Sequence, residues 1–195
     1  MTPAPGADDG ATLERVLAGT TALIAAVPPG SGQRPTPCPK YDVDALVEHL
    51  VSWLRTFEAA FAAGTHRPPA GPAPGADPAA DFAATATSVL AHWRNGGPQA
   101  TVTLAGPPTP GPMIYQMMVG EYLVHGWDLA VATRQPVPYT AEDADRAYAA
   151  LHGMLKPEYR GEAFGAAVPA PADATPLDKL VAFSGRDPQW TAPAT

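Results

Sequence analysis

The sequence predicts an all-α protein: an antiparallel four-helix bundle with a short C-terminal extension. Apolar residues recur at helical spacing over several long segments. The 25 prolines and 18 glycines cluster between those segments, so they read as loops within a helical fold. Alternation of the kind strands need is confined to one short run, ATVTLAG at 100–106. At 195 residues the chain suits one domain with a substantial core and is short for two. That domain is expected to span 1–195, with the bundle core at about 11–155 and the extension at 156–195.

Residues 12–27, TLERVLAGTTALIAAV, carry Leu13, Val16, Leu17, Thr20, Leu23, Ile24 and Val27 on one face, and PPGSG closes this first helix. Asp42 can cap the second, in which Val43, Leu46, Val47, Leu50, Leu54, Phe57 and Phe61 form a stripe ending at Gly64. Asp77 as cap and Pro78 at the first helical position open a third helix, PAADFAATATSVLAHWRNGG. ATVTLAG follows as one edge strand or an extended connector. The fourth helix is expected at about 110–134, ended by Pro136 and Pro138. Thr140 can cap a fifth, TAEDADRAYAALHGMLK, and the rest reads as loop, short helix and tail.

The fourth helix contains GEYLVHGWDLAVATRQP, residues 120–136. With Ile114 at 0° and about 100° per residue, Met118, Leu129, Met117 and Ala132 mark the core-facing stripe, and Glu121, His125 and Asp128 fall within it at about 340°, 20° and 320°. Burying such groups unpaired costs roughly 1–3 kcal/mol each, and far more for a bare charge, so something must compensate. Glu121 and His125 are one turn apart, which lets one ion accept both side chains. His49 lies at the edge of the stripe of helix two, beside Trp53, and would complete a two-histidine, one-carboxylate group. Three protein ligands with an open position is the arrangement of catalytic zinc. From the residues alone three readings stay open: a metal ion, a buried hydrogen-bonded network, or a misread helix face.

Charge and composition narrow the partners. A net charge of −7 and a pI near 5.0 argue against nucleic acid or an anionic membrane, because phosphate recognition needs a basic surface. A small-molecule ligand is expected instead, and a homodimer is one form the bundle could take. No run of about 20 apolar residues is present to span a bilayer. The start MTPAPGADDG lacks the features of a signal peptide, so a cytoplasmic location is expected. The single cysteine, Cys38, reads as structural. Trp53 and Trp127 read as packing residues, and His66, His92 and His152 as surface. Nothing in the sequence brings Arg94 or Arg186 to the cleft.

The segments TPCPKYDVDALVEHLVSW and GEYLVHGWDLAVATRQP, followed by FSGRDPQW, resemble the DinB-like metal-binding superfamily. The closest branch is the one that includes mycothiol-dependent maleylpyruvate isomerase. The resemblance covers nearly the whole chain and implies a bundle that binds a divalent metal through His49, Glu121 and His125. Zinc is the first expectation on ligand type, with nickel or iron(II) as alternatives. Asp128 is expected to hold a ligand histidine from behind, or else to serve the helix end. The isomerase carries a further C-terminal domain that contributes to its active site, so isomerisation of maleylpyruvate itself is not expected here. The resemblance implies instead a metal-dependent thiol S-transferase or isomerase, with a low-molecular-weight thiol of the mycothiol type as cosubstrate and a small electrophile as substrate. A metal-dependent hydrolase and a non-enzymatic metal- or ligand-binding protein are the alternatives.

Overall fold

The structure is a computed structural model that describes residues 7–63, 65, 66, 75, 77–104, 106–161 and 163–193; for 7–9, 63, 65 and 66 it describes the backbone alone. The fold is all-α with a minimal sheet, as expected. Its helices are α1 (Ala7–Ala25), α2 (Val43–Ala63), α3 (Pro78–Arg94), α4 (Gly111–Thr133), α5 (Ala141–Met154) and α6 (Pro176–Phe183). Among the described residues no helix is long and apolar enough to cross a membrane.

α1 starts earlier than its apolar stripe, at Ala7. It ends at Ala25, before Pro28 and Pro29 can continue it. α2 is capped as expected, Ala45 N donating to Asp42 Oδ1 at 2.9 Å. At the start of α3, Ala80 N donates to Asp77 Oδ1 at 2.9 Å and Pro78 occupies the first turn. Thr140 and Asp143 form a full capping box at α5. Each cap satisfies a backbone donor that the helix itself leaves unpaired.

α1 and α2 each pack against both α3 and α4, so they lie across the bundle from one another. Trp93, at the end of α3, stacks on Tyr115 near the start of α4 with ring centroids 5.1 Å apart. At the opposite end, Gln135 Nε2 beyond α4 donates to Leu23 O at the end of α1, 3.0 Å away. α5 packs on α4 and α6 on α5. α4 is therefore covered on most sides, and 17 of its residues are buried.

The ATVTLAG segment is not an edge strand. Thr101–Leu104 is the central strand of three, parallel to Thr65–His66 and antiparallel to Thr109–Pro110. Its neighbours come from the connection after α2 and from the residues leading into α4, and neither two-residue strand has alternation to read in the sequence. His66 lies in this sheet, and its side chain is outside the described residues.

Candidate metal centre

His49 on α2 and Glu121 and His125 on α4 come together. His49 Nε2 is 2.6 Å from Glu121 Oε1, and His125 Nε2 is 3.6 Å from the same oxygen. The two imidazole centroids are 5.1 Å apart at an interplanar angle of 80°. The three ligand atoms lie within 4.8 Å of one another, close enough to share one ion.

The rings are held from behind. Asp128 Oδ2 is 2.9 Å from His125 Nδ1, and since a carboxylate can only accept, Nδ1 carries the proton. In the neutral ring Nε2 then presents a lone pair. That atom is buried, has no hydrogen-bond partner among the described residues, and faces the Glu121 carboxylate. Two electron-rich groups directed at each other need a cation between them, or a proton on the ring. On the other side of the site the Tyr41 ring stacks on His49 at 4.6 Å between centroids, and its hydroxyl lies 3.1 Å from Nδ1. Tyr41 is placed by Thr36, whose hydroxyl donates to the Tyr41 carbonyl at 2.8 Å and accepts from Cys38 N at 3.2 Å. Burial pushes the Tyr41 phenol up, so it stays protonated and can serve either tautomer of His49.

Arg186, which nothing in the sequence brings to the cleft, lies directly behind the site on Asp128. Its Nη2 and Nε donate to the two oxygens of Asp128 at 2.9 Å and 3.2 Å, and its Nη1 donates to Ser184 O at 2.9 Å and to Ala163 O. The turn after α6 makes this reach feasible. Gly185 has φ +89°, and a Cβ there would meet the Gly165 backbone at 2.8 Å, so glycine is required for the chain to swing back towards α4. The sequence reading missed this role; the signal that could have found it is that a buried Asp128 demands a cation, and FSGRD supplies one behind a glycine.

Electrostatics follow from this packing. Burial alone would raise the Glu121 carboxyl, but the adjoining His125 and the hydrogen bond from His49 outweigh it and hold the group below its ordinary range. Burial opposes ionisation of Asp128 as well, and Arg186 with His125 more than offsets it.

A second group, Cys38 with His125 and Asp128, also lies within 4.8 Å. It is the weaker metal candidate, because its carboxylate is already paired with a guanidinium that would repel a cation. Burial also pushes the Cys38 thiol up, away from the thiolate a metal needs. Cys38 is fully buried, as its structural reading requires. Trp127 is buried, and Trp53 packs half-buried on Phe57 at 5.7 Å. Arg94 pairs with Glu14 at the surface. His152 is exposed and His92 half-buried, and neither joins a metal group.

Beside Glu121 a cleft of about 490 Å³ opens, lined by Met113 and Met117 of α4 and by residues from the end of α5 to Phe164. The His125 ring meets Phe164 edge-on at 5.5 Å, so the cleft ends against the back of the site.

These features define a helical bundle that gathers two histidines and a glutamate from two helices into a partly enclosed pocket with an adjoining cleft. The chain belongs to the mycothiol maleylpyruvate isomerase N-terminal domain family, whose model matches residues 13–130. Two relatives from Mycobacterium tuberculosis are the uncharacterized protein MT0763 of strain CDC 1551 / Oshkosh and the uncharacterized protein Rv0738 of strain ATCC 25618 / H37Rv. Each is 34% identical over 167 residues, covering 85% of this chain and 90% of its own length. No solved structure matches the chain significantly.

Proposed function

We propose that the protein holds a divalent metal ion through His49, Glu121 and His125 and acts as a thiol S-transferase or isomerase on a small electrophile. The observation that carries this reading is the buried, unpartnered His125 Nε2 facing Glu121. Membership of a family described by mycothiol supports a low-molecular-weight thiol as cosubstrate. Two imidazoles and one carboxylate suit zinc first, with nickel or iron(II) as alternatives. Such an ion, when bound, supplies a Lewis acid that lowers the pKa of a coordinating thiol or water.

The chain's own residues do the rest. Asp128 keeps the proton on His125 Nδ1 and leaves Nε2 free to ligate. Arg186 keeps Asp128 ionised, and Tyr41 fixes the ring plane of His49. Phe164 and Trp53 meet the His125 and His49 imidazoles in T-shaped contacts, which limits how far either ring can turn. A cytoplasmic setting fits this chemistry, since thiols are kept reduced there.

Cobalt substitution is the test. Adding mycothiol, or another small thiol, to the cobalt protein should produce a sulfur-to-metal charge-transfer band, and the holo protein should accelerate thiol addition to an electrophile in a chelator-sensitive way. An unchanged spectrum with activity on esters controlled by an ionisation near pH 7 would select the hydrolase. A protein that binds metal yet responds to neither thiol nor substrate would be a metal-binding protein without turnover.

A further inference from the structure

The cleft beside Glu121 has a composition of its own. Met113, Met117 and Glu121 follow each other at intervals of four on α4, so their side chains stack along one face over about 12 Å. Exposure falls along that line: Met113 is 45% exposed, Met117 is half-buried, and the Glu121 side chain is 17% exposed. Tyr159, 67% exposed, forms the outer part of the facing wall, and Phe164 closes the inner end against His125. Met113 and Tyr159 are the only large hydrophobic residues of the described chain that are exposed, and both line this one cleft. Apolar side chains left exposed together mark a binding surface.

The charge is equally specific. Lys156 is the one basic residue lining the cleft; it is exposed and has no ion-pair partner among the described residues. Among the described residues the lining carries one charge of each sign, the mostly buried Glu121 carboxylate and the exposed Lys156, so the charge a ligand meets from solvent is the cation, in a protein that is acidic as a whole at −7. The walls otherwise offer few hydrogen-bonding groups, which makes the cleft a poor match for a sugar-based thiol and a good one for an apolar body. Methionine side chains adapt to varied shapes, so the recognition is of a class and not of one outline.

We infer that this cleft binds small molecules with an apolar, aromatic or branched body and a single anionic group, the body lying along Met113 and Met117 and the anion pairing with Lys156. Its role as the seat of the electrophile rests on the proposed function; binding by the cleft does not. The volume of about 490 Å³ falls within the range of small-molecule sites.

Two naphthalene probes of similar body test this. 8-Anilinonaphthalene-1-sulfonate carries the anion and N-phenyl-1-naphthylamine lacks it. Fluorescence titration of the intact chain should show saturable binding of the sulfonate at one equivalent. Lys156→Glu should weaken the sulfonate at least tenfold and the neutral probe less than twofold. Met117→Trp should weaken both; Tyr159→Ala, at an exposed position that does not threaten folding, should do so to a smaller extent. Sulfonate binding that is non-saturable, or equal in wild type and Lys156→Glu, overturns the inference, as does neutral-probe binding unaffected by both wall variants. Removing the metal should leave neutral-probe binding intact. A cobalt protein silent to thiol but with probes behaving as described refutes the thiol chemistry and keeps the cleft, and the reverse result does the opposite.

Discussion

Asp128 and Arg186 form a buried ion pair across 58 residues of sequence, closed by two hydrogen bonds of 2.9 Å and 3.2 Å, with side chains 0% and 3% exposed. The same Asp128 oxygen that meets Arg186 Nη2 accepts from His125 Nδ1 at 2.9 Å. A residue near the C-terminal end of the described chain thus fixes the orientation of a ring on α4.

Replacing Arg186 by methionine should therefore do two things. It strands a buried carboxylate, which costs on the order of 3–5 kcal/mol of stability. It should also loosen His125 and lower metal affinity by roughly 10–100-fold. Arg186→Lys keeps a charge but not the fork, and should recover only part of both. Urea unfolding and chelator competition measure the two effects. Wild-type metal affinity in the methionine variant would remove Arg186 from any role at the site.

His125→Ala should lose stoichiometric metal, as read by elemental analysis of protein purified without chelator. In the wild type, acid should release the metal, because protons compete with it for the imidazole nitrogens. If the alanine variant keeps a full equivalent, the group at His49, Glu121 and His125 is a hydrogen-bonded network and the ion sits elsewhere.

Acid sensitivity should also arise far from the proposed metal centre. Asp143 is buried, which alone would raise its carboxyl; hydrogen bonds from Arg15 and from the Thr140 hydroxyl and backbone outweigh this and lower it. With the folded value depressed, the unfolded chain binds the proton more readily. The contribution of Asp143 is then complete above about pH 4 and is lost as pH falls through the folded value. Arg15 is nearly half exposed, so solvent screening limits the ion-pair share to about 1 kcal/mol or less, and losing the cap adds about as much. Asp143→Asn should be less stable at neutral pH and lose less stability below pH 4; parallel curves for the two proteins would sink this assignment.

Gly126 lies between His125 and buried Trp127, and a Cβ there would run into the Tyr139 hydroxyl. That hydroxyl donates to Tyr122 O at 3.1 Å and lies 2.9 Å from Thr20 Oγ1, tying α4 to α1. Gly126→Ala should lower the melting temperature, with a cost of roughly 1–3 kcal/mol from overpacking, in spite of the better helix propensity of alanine. A variant as stable as wild type would show that Tyr139 can move aside freely.

Much of the fold was legible because helix signals are local. Asp42, Asp77 and Thr140 cap where their spacing to the next apolar run placed them. The wheel of α4 also singled out Glu121, His125 and Asp128, but its premise was too simple. α4 is buried on most sides, so its three ionisable residues are distinguished by what they face and not by lying on the only inward stripe. The central position of Thr101–Leu104 was not legible, since it depends on two-residue partners with no pattern of their own.

By itself the sequence determined the helices, their caps and the one-turn spacing of Glu121 and His125, since each depends on residues within a few positions of one another. Only the tertiary structure decided that Tyr41 stacks on His49, that Arg186 returns through the Gly185 turn to Asp128, and that Met113, Met117 and Tyr159 share one cleft with Lys156. The last two join segments tens of residues apart, and the first depends on how the loop before α2 folds back on its second turn, eight residues on. They follow from which helices pack together and how the chain returns after α6, and no local preference encodes that.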